Sequence, residues 1–334
     1  MGIDAAWPGT AGDAGDGQEL NWWVESFKDE MFHLAQQKGS KLRSKVRNQM
    51  VRGDAHYFER LAPSDSVEKT ARHMTTPVID VTHSRRKVTI KDFLWSDLVD
   101  DEDRRRMLVE PKSEYSKNAG YSMGRKWDDL IIGSDGAATP AISGGMCGDA
   151  ADGTGAQVVF DTANQQIASG TAGMTIAKLT EAKYIMDSND VNPEGRTIVI
   201  GPQQLQDLLN TTEVTSADYN TVKALVKGDL NTFLGFDFVM STRLPLLTAE
   251  RVCVAFQRDC VGLAVNRDVE IKQSERDDLS YAWQIFARFS ANATRIDDAG
   301  VVRILNVEAE VSAQVMEQGW CSRTAHPFFF IRWQ

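Results

Sequence analysis

Cysteine is scarce in this chain. Four occur in 334 residues (Cys147, Cys253, Cys260 and Cys321), none in a C-x-x-C pair. That spacing excludes a zinc knuckle and gives no disulfide framework. It predicts reduced thiols packed as small apolar residues in a protein made and folded in cytosol. Histidine is equally thin: His33, His56, His73, His83 and His326 never fall in H-E-x-x-H or H-x-x-E-H, the usual metallohydrolase spacings. No G-x-S-x-G is present, so no nucleophile elbow is offered. The run Gly144-Gly145-Met146-Cys147-Gly148 is not followed by Gly-Lys-Ser/Thr, and reads as a flexible loop rather than a phosphate cradle. No apolar run approaches the roughly 18 residues of a membrane span. The first residues carry neither the cationic start nor the apolar core of a signal peptide.

Excess positive charge is also missing. Lys and Arg number 37 against 47 Asp and Glu, a net charge of -10, which lacks the basic footprint of a sequence-specific duplex binder. Asp13-x-x-Asp16-Gly17 and Asp149-x-x-Asp152-Gly153 resemble fragments of calcium loops but lack the twelve-residue oxygen ladder and its closing Glu. Asp128-Asp129 and Asp277-Asp278 are adjacent pairs, so their side chains diverge and build no carboxylate dyad. Eight tryptophans lie scattered, Trp23, Trp95, Trp127 and Trp283 within apolar patterns that predict packing rather than ligand stacking. No catalytic residue, cofactor or metal site is expected.

What is present is an ordered series of unlike pieces. Residues 1–18 are small and acidic and read as a mobile tail. Leu20, Trp23, Val24, Phe27, Met31 and Leu34 recur at helical steps to about Gln37. Residues 40–98 interleave both charges with few consecutive apolar residues; Val78 to Thr82 and Lys87 to Ile90 read as narrow strands, with a turn or loop tip at Ala62 to Ser66. So little core-forming power predicts an extended hairpin that finds its buried surface on neighbouring subunits. A long helix is expected from Pro111, where a missing N–H costs nothing, to Gly133, with Tyr115, Ala119, Met123, Trp127, Leu130 and Ile131 along one face. Gly120 and Gly124, one turn apart, leave a narrow place for another backbone. Further on come a helix from Thr175, a buried strand Thr197 to Ile200, a helix from Leu205 and another through Val222 to Val226. Strands are expected at Phe236 to Met240, Val252 to Phe256 and Val261 to Val265, then long antiparallel strands around the turn Asp297 to Gly300.

Specific residues add to this order. Phe32 to Leu42, Tyr57-Phe58, Arg72 to Pro77, Asp80 to Arg86, Val99-Asp100 followed by Asp103, Glu110-Pro111, Tyr115 and Gly124 to Asp128 together resemble one branch of the major capsid proteins of tailed double-stranded-DNA bacteriophages. The resemblance runs from about Trp22 to about Asn306. It implies an α+β chain of the Hong Kong 97-type capsid fold. The N-terminal arm would be 1–40, the E-loop hairpin 41–98 and the P-domain with its spine helix and Gly-rich loop 99–189. The central A-domain would be 190–265 and the returning P-domain strands 266–306, while 307–334 departs from the pattern. It further implies a structural, non-enzymatic shell subunit forming pentamers and hexamers around the genome in the virion, assembled in the host cytoplasm. Partners would be copies of itself, scaffolding and portal proteins, a decoration protein, and packaged DNA held without sequence specificity; no membrane is involved. Arg85, Arg86, Asp65 and Glu68, with Trp23 and Phe27 of the arm, are the expected inter-subunit contacts, and Met123 and Trp127 the expected spine-helix packing. Two other readings of the same residues are an encapsulin-like compartment shell and a soluble α/β enzyme with an unrecognised site.

Overall fold

The computed structural model describes residues 34–100, 102, 111–134, 142, 144–210, 232–247 and 250–308. In chain order the elements are β1 (Arg47–Met50), β2 (Ala55–Leu61), β3 (His83–Thr89), β4 (Lys91–Val99), α1 (Pro111–Ile132), β5 (Ala150–Asp152), β6 (Gln157–Val158) and β7 (Gln166–Ile167). They continue with α2 (Ile176–Ser188), β8 (Arg196–Ile200), α3 (Pro202–Asn210), β9 (Thr232–Phe233), β10 (Phe236–Met240), β11 (Leu246–Leu247), β12 (Glu250–Gln257), β13 (Val261–Arg276), β14 (Ala282–Arg295) and β15 (Val301–Val307). The predicted arm helix, the helix through Val222 to Val226 and the last segment lie outside the described residues.

Three sheets organise the described chain. A four-stranded sheet in the order β1-β13-β14-β4 carries α1 against one face. A six-strand path β7-β15-β12-β8-β10-β9, with β11 beside β12, forms the larger sheet. Its β8 is buried at every position, as expected for a central apolar strand. A small sheet, β2-β3-β5-β6, carries the hairpin.

Helix α1 begins at the proline the sequence marked and stops before Gly133, whose φ of 85° is open to glycine at little cost. The Gly-rich loop then closes the end of that helix. Met146 N–H donates to Ile131 O (2.9 Å) and Cys147 N–H to Ile132 O (3.0 Å), satisfying carbonyls that a helix end leaves open. Along the inner face, Ala119, Met123, Trp127 and Ile131 are buried. Trp127 stacks on Phe289 of β14 at 4.7 Å between ring centres, and Phe289 stacks on Phe93 of β4 at 5.1 Å, so one aromatic column ties helix to sheet.

Three expectations change. The stretch 41–98 is not wholly a projecting hairpin: β1 and β4 are edge strands of the body sheet, and the projection is confined to β2, β3 and the loop between them. Within that loop Val78 to Thr82 form no strand, because no second strand among the described residues reaches them and an unpaired strand has nowhere to send its N–H groups. The turn 297–300 joins no hairpin. β14 pairs with β13 through a reversal at 277–281, where Ser280 and Tyr281 take positive φ, whereas β15 crosses to the other sheet and pairs with β12.

Candidate functional site

Two distant stretches of sequence meet on α1. Asp128, wholly buried, accepts hydrogen bonds from Gln37 Nε2 (2.5 Å), Ser40 Oγ (2.5 Å) and the backbone N–H groups of Lys41 (3.1 Å) and Leu42 (3.2 Å). One carboxylate thus fixes the turn by which the chain enters the body. Gln36 extends the joint, donating to Asn118 Oδ1 (3.3 Å) and accepting from Arg125 Nη1 (2.6 Å). Close approach is allowed by glycine: a Cβ on Gly124 would lie 2.5 Å from the Gly39 Cα, whereas one on Gly120 would meet nothing within 4 Å. Of the two glycines singled out by spacing, only Gly124 receives a backbone.

The same turn then staples the two large sheets. The Arg43 guanidinium lies 4.5 Å above the Trp127 ring and grips Asp268 of β13 with both nitrogens (2.9 and 2.7 Å). That grip holds the Asp268 carboxyl below its ordinary range, the Arg43 hydrogen bond being the leading cause. Lys41 Nζ reaches Met240 O at the end of β10 (2.9 Å), and Lys45 Nζ pairs with Asp237 of β10 (3.0 Å). Asp129, the neighbour of Asp128, turns the other way and is clasped by Arg243 Nε (2.8 Å) and Nη2 (2.6 Å). The adjacent aspartates do diverge, one holding the entering turn and the other Arg243.

A second anchor sits at the root of the hairpin. Arg86 of β3 is buried and pairs with Asp298 (2.5 Å), whose other oxygen takes Arg295 Nε; Arg60 of β2 donates to Ile296 O (2.7 Å). Phe58 fills the notch over Gly262, within a small cluster of Val51, Val88, Ala264 and Ile296. Arg86 is therefore engaged inside its own chain by Asp298. Arg85, beside it, is exposed and meets the exposed Glu59 (3.1 Å), an ion pair of ~0–1 kcal/mol.

Beyond this root every residue from Ala62 to Thr82 is exposed, including Asp65 and Glu68, and Val78 is 89% exposed. Met123 and Trp127 lie in the core, 4% and 1% exposed. Trp23 and Phe27 fall outside the described residues. Sequence reasoning missed Asp128, Arg43 and Arg243. The available signal was a pair of acids directly after Trp127, on the apolar side of the helix.

The calcium-like Asp149 and Asp152 shape turns instead. Asp152 accepts from Thr154 Oγ (2.7 Å), Thr154 N (2.8 Å) and Ala156 N (2.9 Å), and Asp149 from Gln157 Nε2 (2.5 Å) and Phe160 N (3.1 Å). Among the described residues no three potential ligands gather for a metal, and no helix is long and apolar enough to cross a membrane. Burial pushes the thiols of Cys147, Cys253 and Cys260 up to about 12, so at neutral pH they are protonated packing groups.

The family model described as phage capsid protein matches residues 20–308. The chain belongs to the phage capsid protein family. This capsid protein is similar to the capsid of cyanophage P-SCSP1u, with 17% identity, a TM-score of 0.66, and 90% of this chain and 98% of that one covered. It is similar also to the capsid of Ralstonia phage GP4 (13%, TM-score 0.66, coverage 89% and 98%). A third likeness is to the capsid of a native GTA particle (11%, TM-score 0.67, coverage 90% and 100%). A search of curated protein sequences found no match. The fold is the Hong Kong 97 type, and the role that goes with it is structural, that of a major capsid protein. The two family pieces Gln36 to Leu42 and Gly124 to Asp128 are the two halves of the Asp128 joint.

Proposed function

We propose that this major capsid protein closes into pentamers and hexamers of an icosahedral shell that encloses double-stranded DNA. The single observation that carries this is the contrast along the hairpin. Its root is locked by buried Arg86 and Phe58, whereas its tip holds exposed apolar residues and charged ones without an ion-pair partner among the described residues. A chain that immobilises the root of an otherwise unsatisfied arm has its binding surface on another copy. Many such weak contacts, repeated around closed symmetry, stabilise a container.

In this reading β1, β4, β13, β14 and α1 make up the P-domain, the larger sheet the A-domain, and β2, β3 and their loop the E-loop. Arg85, Asp65 and Glu68 contribute inter-subunit contacts at the hairpin, with Trp23 and Phe27 from the arm. Scaffolding and portal proteins, with a decoration protein outside, are the partners that such a shell requires or accepts, and assembly takes place in the host cytoplasm. The role needs no catalytic group. A net charge of -10 suits a wall that does not bind its DNA tightly. Electron microscopy of the purified, overproduced chain is the test. Shells, tubes or capsomers are expected, and a featureless monomer at high concentration would overturn the proposal.

A further inference from the structure

The segment Val78-Ile79-Asp80-Val81-Thr82 has the alternation and β-branched content of a strand, yet it lies unpaired and exposed, Val78 at 89% and Ile79 at 44%. Its tie to the rest of the described chain is Ala62 N–H to Thr82 O, at the mouth of the hairpin. A stretch with strand chemistry and no sheet needs an open edge. The body supplies one: β4 pairs with β14 on one side, and no strand among the described residues covers the other. The Leu98 N–H, which donates to the Asp97 carboxylate, marks that outward side, and by alternation Leu94 and Ser96 face the same way. Long bare edges of this kind recruit other strands.

The surroundings of the edge match the segment on both faces. On the face away from α1, Leu94 and Leu98 are 68% and 45% exposed. On the other, a groove of about 380 Å³ opens between β4 and α1, its lining including Phe93, Trp95, Arg125, Lys126 and the Asp129–Arg243 pair, in which the Asp129 carboxylate is already taken by Arg243. Lys126 lies over the Phe93 ring at 5.4 Å and has no carboxylate partner among the described residues; Asp80 has no basic partner among them either. Seven residues of β3, about 23 Å at about 3.3 Å each, separate the segment from its own β4 along the chain, and it makes no backbone hydrogen bond to that strand among the described residues.

We propose that residues 78–82 of one copy add as a fifth strand to the free edge of β4 in a second copy. Ile79 and Val81 lie beside Leu94 and Leu98, and Asp80 turns over the groove to pair with Lys126. Main-chain hydrogen bonds give the attachment its strength, and the alternating side chains its register. This deepens the shell reading and rests on it.

Hydrogen exchange on the unaltered chain, compared between shells and unassembled subunits, gives the first test. Segments 78–82 and 91–99 should both gain protection on assembly. If shells form and 91–99 stays unchanged, or if 78–82 is already protected in the free subunit, the strand addition is wrong while the shell reading stands. Absence of any assembly overturns both. Charge exchange identifies the partner: Asp80→Lys and Lys126→Glu should each lower shell yield about tenfold, and the two together should restore it to within about twofold. Failure of the double variant to recover yield counts against the pairing. Oxidising shells that carry Ser96→Cys with Ile79→Cys or Val81→Cys should give a ladder of linked chains on a non-reducing gel; monomers alone from both pairs would exclude the assigned faces.

Discussion

Asp128 shows how much of this molecule rests on one side chain. Its carboxylate satisfies the N–H groups of Lys41 and Leu42 together with the side chains of Gln37 and Ser40, all from a stretch some 90 positions away. Removing it strands donors in a place water does not reach, at about 1–3 kcal/mol for each buried group left open. Asp128→Ala should therefore lower the unfolding free energy by about 3 kcal/mol, read as a shift in urea midpoint with an unchanged slope. Ser40→Ala, which leaves the backbone donors served, should cost about 1 kcal/mol. The sequence made Trp127 legible as a core residue through its helical spacing. It could not do the same for Asp128, since an acid beside an apolar stripe reads as a solvated neighbour until the opposing chain is seen.

At the level of elements, α1 and the strands of the larger sheet follow from local chemistry. Pro111 opens the helix, Gly133 closes it, and the apolar face between them finds β14. The two helix glycines separate local from tertiary causes. Gly124→Ala places a methyl 2.5 Å from the Gly39 backbone and should destabilise by about 1–3 kcal/mol, by forcing the arm turn off the helix. Gly120→Ala, with open space around it, should stabilise by about 0.5–1 kcal/mol through helix propensity alone. Thermal melts of the two single variants give opposite signs if the close approach is real. Val78 to Thr82 went the other way: strand propensity was plain in the sequence, but a strand exists only with a neighbour, and the described chain provides none.

Over the whole molecule, titration sets the limits of stability. Burial raises Cys147, Cys253 and Cys260 to about 12 from an ordinary value near 9, so the folded chain holds protons that the unfolded one loses. Stability should be fully present below about pH 9 and decline from there towards pH 12. Asp268 and Glu308 are shifted downward by Arg43 and Arg251, so their contribution is present above the ordinary carboxylate range near pH 4 and is lost as the pH falls below it. A scan of melting temperature against pH should show a plateau with both shoulders. Replacing the three buried thiols by Ala should flatten the alkaline shoulder, whatever it does to the plateau height.

The division between sequence and tertiary structure follows from range. Composition, missing motifs, helix limits and the order of the pieces depend on neighbours within a few residues, and they determined a series of helices and strands, an apolar-striped stretch near the start and a polar, charge-interleaved stretch after it. Which sheet β15 joins, that β1 and β4 belong to the body, that Arg86 is engaged within the chain, and that Gln36 to Leu42 meets Gly124 to Asp128 were decided only by the fold. Each depends on which surfaces meet after the backbone has closed loops of tens to hundreds of residues. Local periodicity records which face of an element is apolar, but not which distant partner will cover it.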